Sequence, residues 1–143
     1  MEWLVILLAL GSAIMAALVA IFGKIGLQSV DANTATALRA VIMALFLIAI
    51  ITLEGKLFSI PSLFSNSKAI TFIVLSGVAG ALSWLFYFLA IKMGNVSQVV
   101  PIDRLSIVFA VILAALFLGE KMTIKTAIGT ALVAAGAIVI AFA

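Results

Sequence analysis

The stretch SQVVPIDRLSIVFAVILAALFLGEK, residues 97–121, is apolar for most of its length, yet Pro101, Asp103 and Arg104 stand together at its front. About 20 apolar residues, rising 1.5 Å each, cross a hydrocarbon core of roughly 30 Å, so the run is long enough to span a bilayer. A lone Asp or Arg at the centre of such a helix costs about 2.5 to 3.5 kcal/mol and less near the interface, so a partner or a wet cavity is expected for each. Two readings of the cluster stay open. In the first, Pro101 opens the helix: its missing N–H is no loss there, Asp103 favours the positive end of the helix dipole, and Arg104 reaches back to the headgroups. In the second, the helix begins near Val96, Pro101 frees a carbonyl inside it, and Asp103 and Arg104 face a cavity.

Working outward, the 143 residues are 67% hydrophobic and 9% charged, whereas a soluble domain is roughly half apolar and about a quarter charged. The chain reads as an all-α integral membrane protein. Five segments have the length and composition of spans, at about residues 3–22, 33–53, 69–92, 96–118 and 123–142. They form one domain covering residues 1–143, with no internal repeat and no composition shift. Glu2 stands where a cleaved signal would be basic, so the first run reads as a retained helix. Most connections are short and polar. The exception, EGKLFSIPSLFSNSK (residues 54–68), reads either as a plain loop or as a segment lying along the headgroups.

With no His and no Cys, the familiar nucleophile–base pairs and zinc sites cannot be assembled, and neither metal nor cofactor is expected. No pair of carboxylates sits at catalytic spacing, which argues against an enzyme. The net charge of +3 comes from Lys and Arg scattered among apolar runs, not gathered in a stripe, so nucleic acid is not a partner. GKIG and EGKL lack the glycine spacing of a phosphate loop.

Small residues are what let helices approach one another in lipid. Ser76 with Gly80, Gly77 with Ala81, and the row Ala127, Ala131 and Ala135 therefore read as packing seams. In an alternating topology Lys56, Lys68, Lys121 and Lys125 share a side with the N-terminus, against Lys24 and Lys92. That favours a cytoplasmic N-terminus, but Arg39 and Arg104 on the second side restore the balance. Arg39 and Asp103 share a side and an approximate depth of about 9 to 12 Å, which makes Asp103 the natural partner of Arg39. In SWLFYFLAIKMGN, Trp84 lies inside its span with Tyr87 one turn on, placed either to fill the core or to line a ligand pocket.

FGKIGL, ALRAVIMAL, the block SWLFYFLAIKMGNVSQVVPIDRLSIVFAVILAALFLGEKMT and AIGTALVAAGAIVI together resemble a single EamA-type domain of the drug/metabolite transporter superfamily, of the short five-helix bacterial and archaeal kind. The resemblance covers nearly the whole chain. It implies half of a ten-helix fold, completed as a homodimer for which the balanced charges admit an antiparallel arrangement, in a prokaryotic inner membrane. The implied function is secondary transport, as an exporter of small organic metabolites such as amino acids or related polar compounds. Lys24, Arg39, Pro101 and Asp103 fall on its recurrent polar positions. Its four-helix relatives carry a coupling Glu in the first helix, where this chain has none. The alternative is a non-transporting subunit that scaffolds a partner membrane protein.

Overall fold

The computed structural model describes residues 3–143. Glu2, and with it the reading of the N-terminal charge, lies outside them. All regular structure among the described residues is helical, in the order α1 (Trp3–Gly26), α2 (Ala32–Leu53), a 3-10 turn (Leu57–Ser59), α3 (Ile60–Leu63), α4 (Ser67–Met93), α5 (Val96–Asp103), α6 (Ser106–Leu113), a π-helical turn (Ala114–Leu118) and α7 (Ile124–Ala141). Among the described residues five stretches are long and apolar enough to cross a membrane: α1, α2, α4, the run Val96–Leu118, and α7.

Helix ends follow local chemistry. Asp31 caps α2, its carboxylate accepting from the Thr34 N–H at 2.8 Å and the Thr34 hydroxyl at 2.9 Å. Asn66 accepts from Ala69 N–H at 3.0 Å ahead of α4, and Thr123 from Thr126 N–H at 3.1 Å ahead of α7. Inside the spans, hydroxyls bond back to their own helix: Thr36 donates to the Ala32 carbonyl at 2.7 Å and Thr52 to the Ile48 carbonyl at 2.7 Å. Such bonds let a hydroxyl sit in an apolar segment without an outside partner. Gly119, at φ +67°, ends the π-helical turn in a left-handed conformation that costs a glycine little.

The fourth span resolves the two readings of Pro101. Its helix begins at Val96, five residues early, so Pro101 is an interior proline and not the opening residue. With no N–H, Pro101 cannot bond the Ser97 carbonyl. The helix ends two residues later, and the chain crosses to α6 on i→i+3 bonds, Leu105 to Ile102 at 2.9 Å and Ile107 to Arg104 at 3.0 Å. Asp103 consequently sits at the C-terminal end of α5, opposite to the dipole placement that the opening-residue reading required.

The chain forms two compact units, one of residues Gly26–Leu89 and one joining the residues up to Ile25 to Ala90–Ala143. In the latter, α7 packs on α5 and α6. The face it buries runs through Thr130, Ala134, Ala137 and Ala141, while Ala127, Ala131 and Ala135 are exposed. The seam expected on α7 is thus made of small residues but lies on a neighbouring face; an Ala-rich helix offers one in several directions. In the loop at 54–68, Phe58 is 91% exposed and Glu54 pairs with Lys56 at 2.6 Å.

Ala137→Leu should lower the melting temperature in detergent, because forcing extra methylenes into a packed face costs about 1 to 3 kcal/mol. Ala131→Leu, on the exposed face, should melt with the parent.

Candidate functional site

In the unit Gly26–Leu89, α2 carries Arg39 seven residues after its first, about 10 Å along the helix. Trp84, Tyr87 and Phe88, at i, i+3 and i+4, share one face of α4. The Arg39 guanidinium carbon lies 3.6 Å from the centroid of the Trp84 ring and 4.4 Å from that of Phe88. Trp84 and Phe88 are themselves stacked, 5.4 Å apart and 19° from parallel, and Tyr87 meets both edge-on at 5.8 and 5.5 Å. A guanidinium over aromatic faces in a poorly solvated place gains about 2 kcal/mol or more. The rings therefore hold the cation on an apolar helix, but they engage its faces and leave its in-plane N–H groups to find acceptors. The Nε–H is buried and has no acceptor among the described residues.

Beside this cluster lies a cavity of about 540 Å³, lined by α2 and α4, with Arg39 and Trp84 on its wall. Space is left where side chains are short: Ala40 and Ala44 on one helix, Gly77, Gly80 and Ala81 on the other. A Cβ added at Gly77 or Gly80 would meet nothing within 4 Å. Within this unit the faces at Gly77 and Gly80, expected as seams, line a groove. Apart from Arg39 and Thr36 the lining is apolar, and no carboxylate belongs to it.

The other unit holds Lys24, Pro101, Asp103 and Arg104. Lys24, in the last turn of α1, donates from Nζ to the carbonyls of Ile91 at 2.8 Å and Gly94 at 2.9 Å, with the Lys92 carbonyl at 3.4 Å. Ile91 and Lys92 belong to the last turn of α4, whose carbonyls lack intrahelical donors, Gly94 follows it directly, and an ammonium has three protons to give. The turn leaves little room: a Cβ on Gly94 would lie 3.1 Å from Val99 Cγ2 and 3.3 Å from the Ala90 carbonyl. Lys24 thus closes α4 just ahead of α5. Pro101, Asp103 and Arg104 are half-buried around the break between α5 and α6. Arg39 belongs to one unit and Asp103 to the other, and each is placed within its own.

Sequence reasoning placed Trp84 and Tyr87 beside one another but missed Phe88, the second ring under Arg39. Its signal was present, since Phe88 follows Trp84 by one helical turn. The cavity itself was not legible, because glycines in a helix read equally as a seam or as a void.

These features define a multi-pass helical membrane protein with a cation held against an apolar cavity inside its spans. The match to the EamA-like transporter family covers residues 3–142, and the chain belongs to that family. It is similar to a curated protein of Sinorhizobium sp named as an uncharacterized transporter in the cobO 3'region, with 41% identity over 133 residues, 93% of this chain and 93% of that protein. No solved structure matches the chain. Family and relative support a membrane transporter and point to transport rather than to an enzyme.

Lys24→Met should destabilise the protein by up to about 1 to 3 kcal/mol, the cost of leaving part-buried carbonyls unpaired. Thermal unfolding in detergent would register the loss, and Lys24→Arg should recover part of it.

Proposed function

We propose that the chain is a secondary transporter, an exporter of small organic metabolites such as amino acids or related polar compounds, acting by alternating access as a homodimer in a prokaryotic inner membrane. The observation that carries this reading is the Arg39 guanidinium, held on Trp84 and Phe88 at the wall of a cavity within the apolar spans. A charge kept inside a membrane segment marks a pathway more often than a packing device. The broken span, α5 to α6 across Pro101, supports it, because interrupted helices recur where transporters bind substrate and move. Asp103 beside that break is the candidate for pairing with Arg39 and for any coupling. Arg104 serves as its neighbour on the headgroup side, and Tyr87 as part of the aromatic wall.

Two copies in opposite orientation would supply both halves of an inverted-repeat transporter from one chain. The apolar faces of the spans are largely open, with 6% or less of each span's most apolar window buried, which leaves ample surface for lipid and for a second copy.

In proteoliposomes, Arg39→Ala and Asp103→Ala should each abolish substrate flux while leaving insertion and assembly unchanged; flux that survives both changes sinks the proposed site. Orientation is read with a single cysteine, since the chain has none of its own. Ser65 suits it better than Asn66, whose side chain caps α4. With Ser65→Cys, an impermeant thiol reagent should label about half the molecules in intact cells if both orientations are present. Labelling of none before lysis and all after it would fix one orientation and exclude the antiparallel pair.

A further inference from the structure

We infer that the groove between α2 and α4 is a binding site for a small organic monoanion, a carboxylate on an apolar body, with Arg39 as its anchor. The inference rests on the transporter reading above, keeps its small organic metabolites and replaces its amino-acid example with monoanionic acids.

Arg39 has its charge stabilised from the faces by Trp84 and Phe88, at 3.6 and 4.4 Å. Its hydrogen bonds are another matter. A guanidinium carries five N–H donors in its plane, in a fork that matches a carboxylate through two parallel bonds. Stacking uses none of them. Among the described residues the buried Nε–H of Arg39 has no hydrogen-bond acceptor. An unpaired donor in a water-poor place carries a penalty that an arriving acceptor removes. Two rings at its faces, a buried Nε–H without an acceptor and a place on the groove wall make Arg39 an anchor for an outside carboxylate.

The rest of the groove sets what that acceptor is attached to. At about 540 Å³ it falls within the range of small-molecule pockets, roughly 300 to 1,000 Å³. Met43, Leu47, Leu85 and the indole of Trp84 give it an apolar wall, and no second charge lines it. A zwitterion would bring an ammonium with no carboxylate to receive it. The Thr36 hydroxyl already donates to the Ala32 carbonyl at 2.7 Å. One anionic head and an apolar body therefore fit where a zwitterion or a neutral molecule fits less well.

The protein carries two tryptophans, and Trp3 is 80% exposed. Trp3→Phe leaves Trp84 as the sole indole, set in the groove wall. In phosphatidylcholine nanodiscs, phenylacetate should change Trp84 fluorescence saturably, with phenylacetamide and phenylalanine weaker by at least about tenfold, the worth of one charge-assisted pair. Arg39→Ala should remove the preference for the acid with helicity by circular dichroism unchanged. Gly80→Leu, whose side chain meets nothing nearby at its Cβ, should fill the groove and abolish the response. Equal affinity for acid and amide overturns the proposal, whether because Asp103 permanently neutralises Arg39 or because the groove does not bind. So does a response to phosphatidylglycerol in the disc that phenylacetate cannot displace, which would make the occupant a lipid headgroup. Flux of neutral compounds without acid preference would sink this inference and spare the transporter; acid-selective binding without flux would do the reverse.

Discussion

The last four carbonyls of a helix have no intrahelical donors and must find them elsewhere. In this chain the end of α4 is met by Lys24, which gives its ammonium protons to the Ile91 and Gly94 carbonyls and approaches that of Lys92. The arrangement lets α4 stop, Gly94 make a tight turn where a Cβ would crowd Val99 and the Ala90 carbonyl, and α5 start again at Val96. The position of Pro101, and so of the break between α5 and α6, is counted from that start. A charge in the first span thereby governs where the fourth begins.

Interruption runs through the whole fourth span. Pro101 ends α5, i→i+3 bonds carry the chain across Arg104 and Leu105, and the far end relaxes into a π-helical turn before Gly119. A continuous α-helix shares strain along its length; this one is divided into pieces whose hydrogen bonds are independently shortened or lengthened. Interior proline and π-helical turns both lower the stiffness of a helix at defined points. Among the described residues the span that carries Asp103 is therefore the one interrupted most.

Much of this was legible in the sequence, for a physical reason. Length and hydropathy fix the number of spans, because a bilayer demands about 20 apolar residues whatever their order. The polar exceptions, Arg39, Trp84, Tyr87 and Asp103, identified themselves by being costly where they stand. Small residues were ambiguous. Ala127, Ala131 and Ala135 formed as good a row as Thr130, Ala134 and Ala137, and only packing chose the latter. Gly77 and Gly80 promised contact and delivered space. The proline cluster was undecided because the cap that would place its helix start lies at Asn95, which offers no side-chain hydrogen bond there.

The void beside Arg39 exists because two positions on α4 carry no side chain. A pocket bounded by bulky residues is enlarged only by deletions that loosen its wall, whereas one bounded by glycines is narrowed by adding groups into empty space. Each added methyl at Gly77 or Gly80 would trim the groove without pressing on a neighbour, so the size limit of the site and the integrity of the fold are decoupled. Single substitutions at these two glycines would therefore narrow the groove in steps while the cation and its rings stayed fixed.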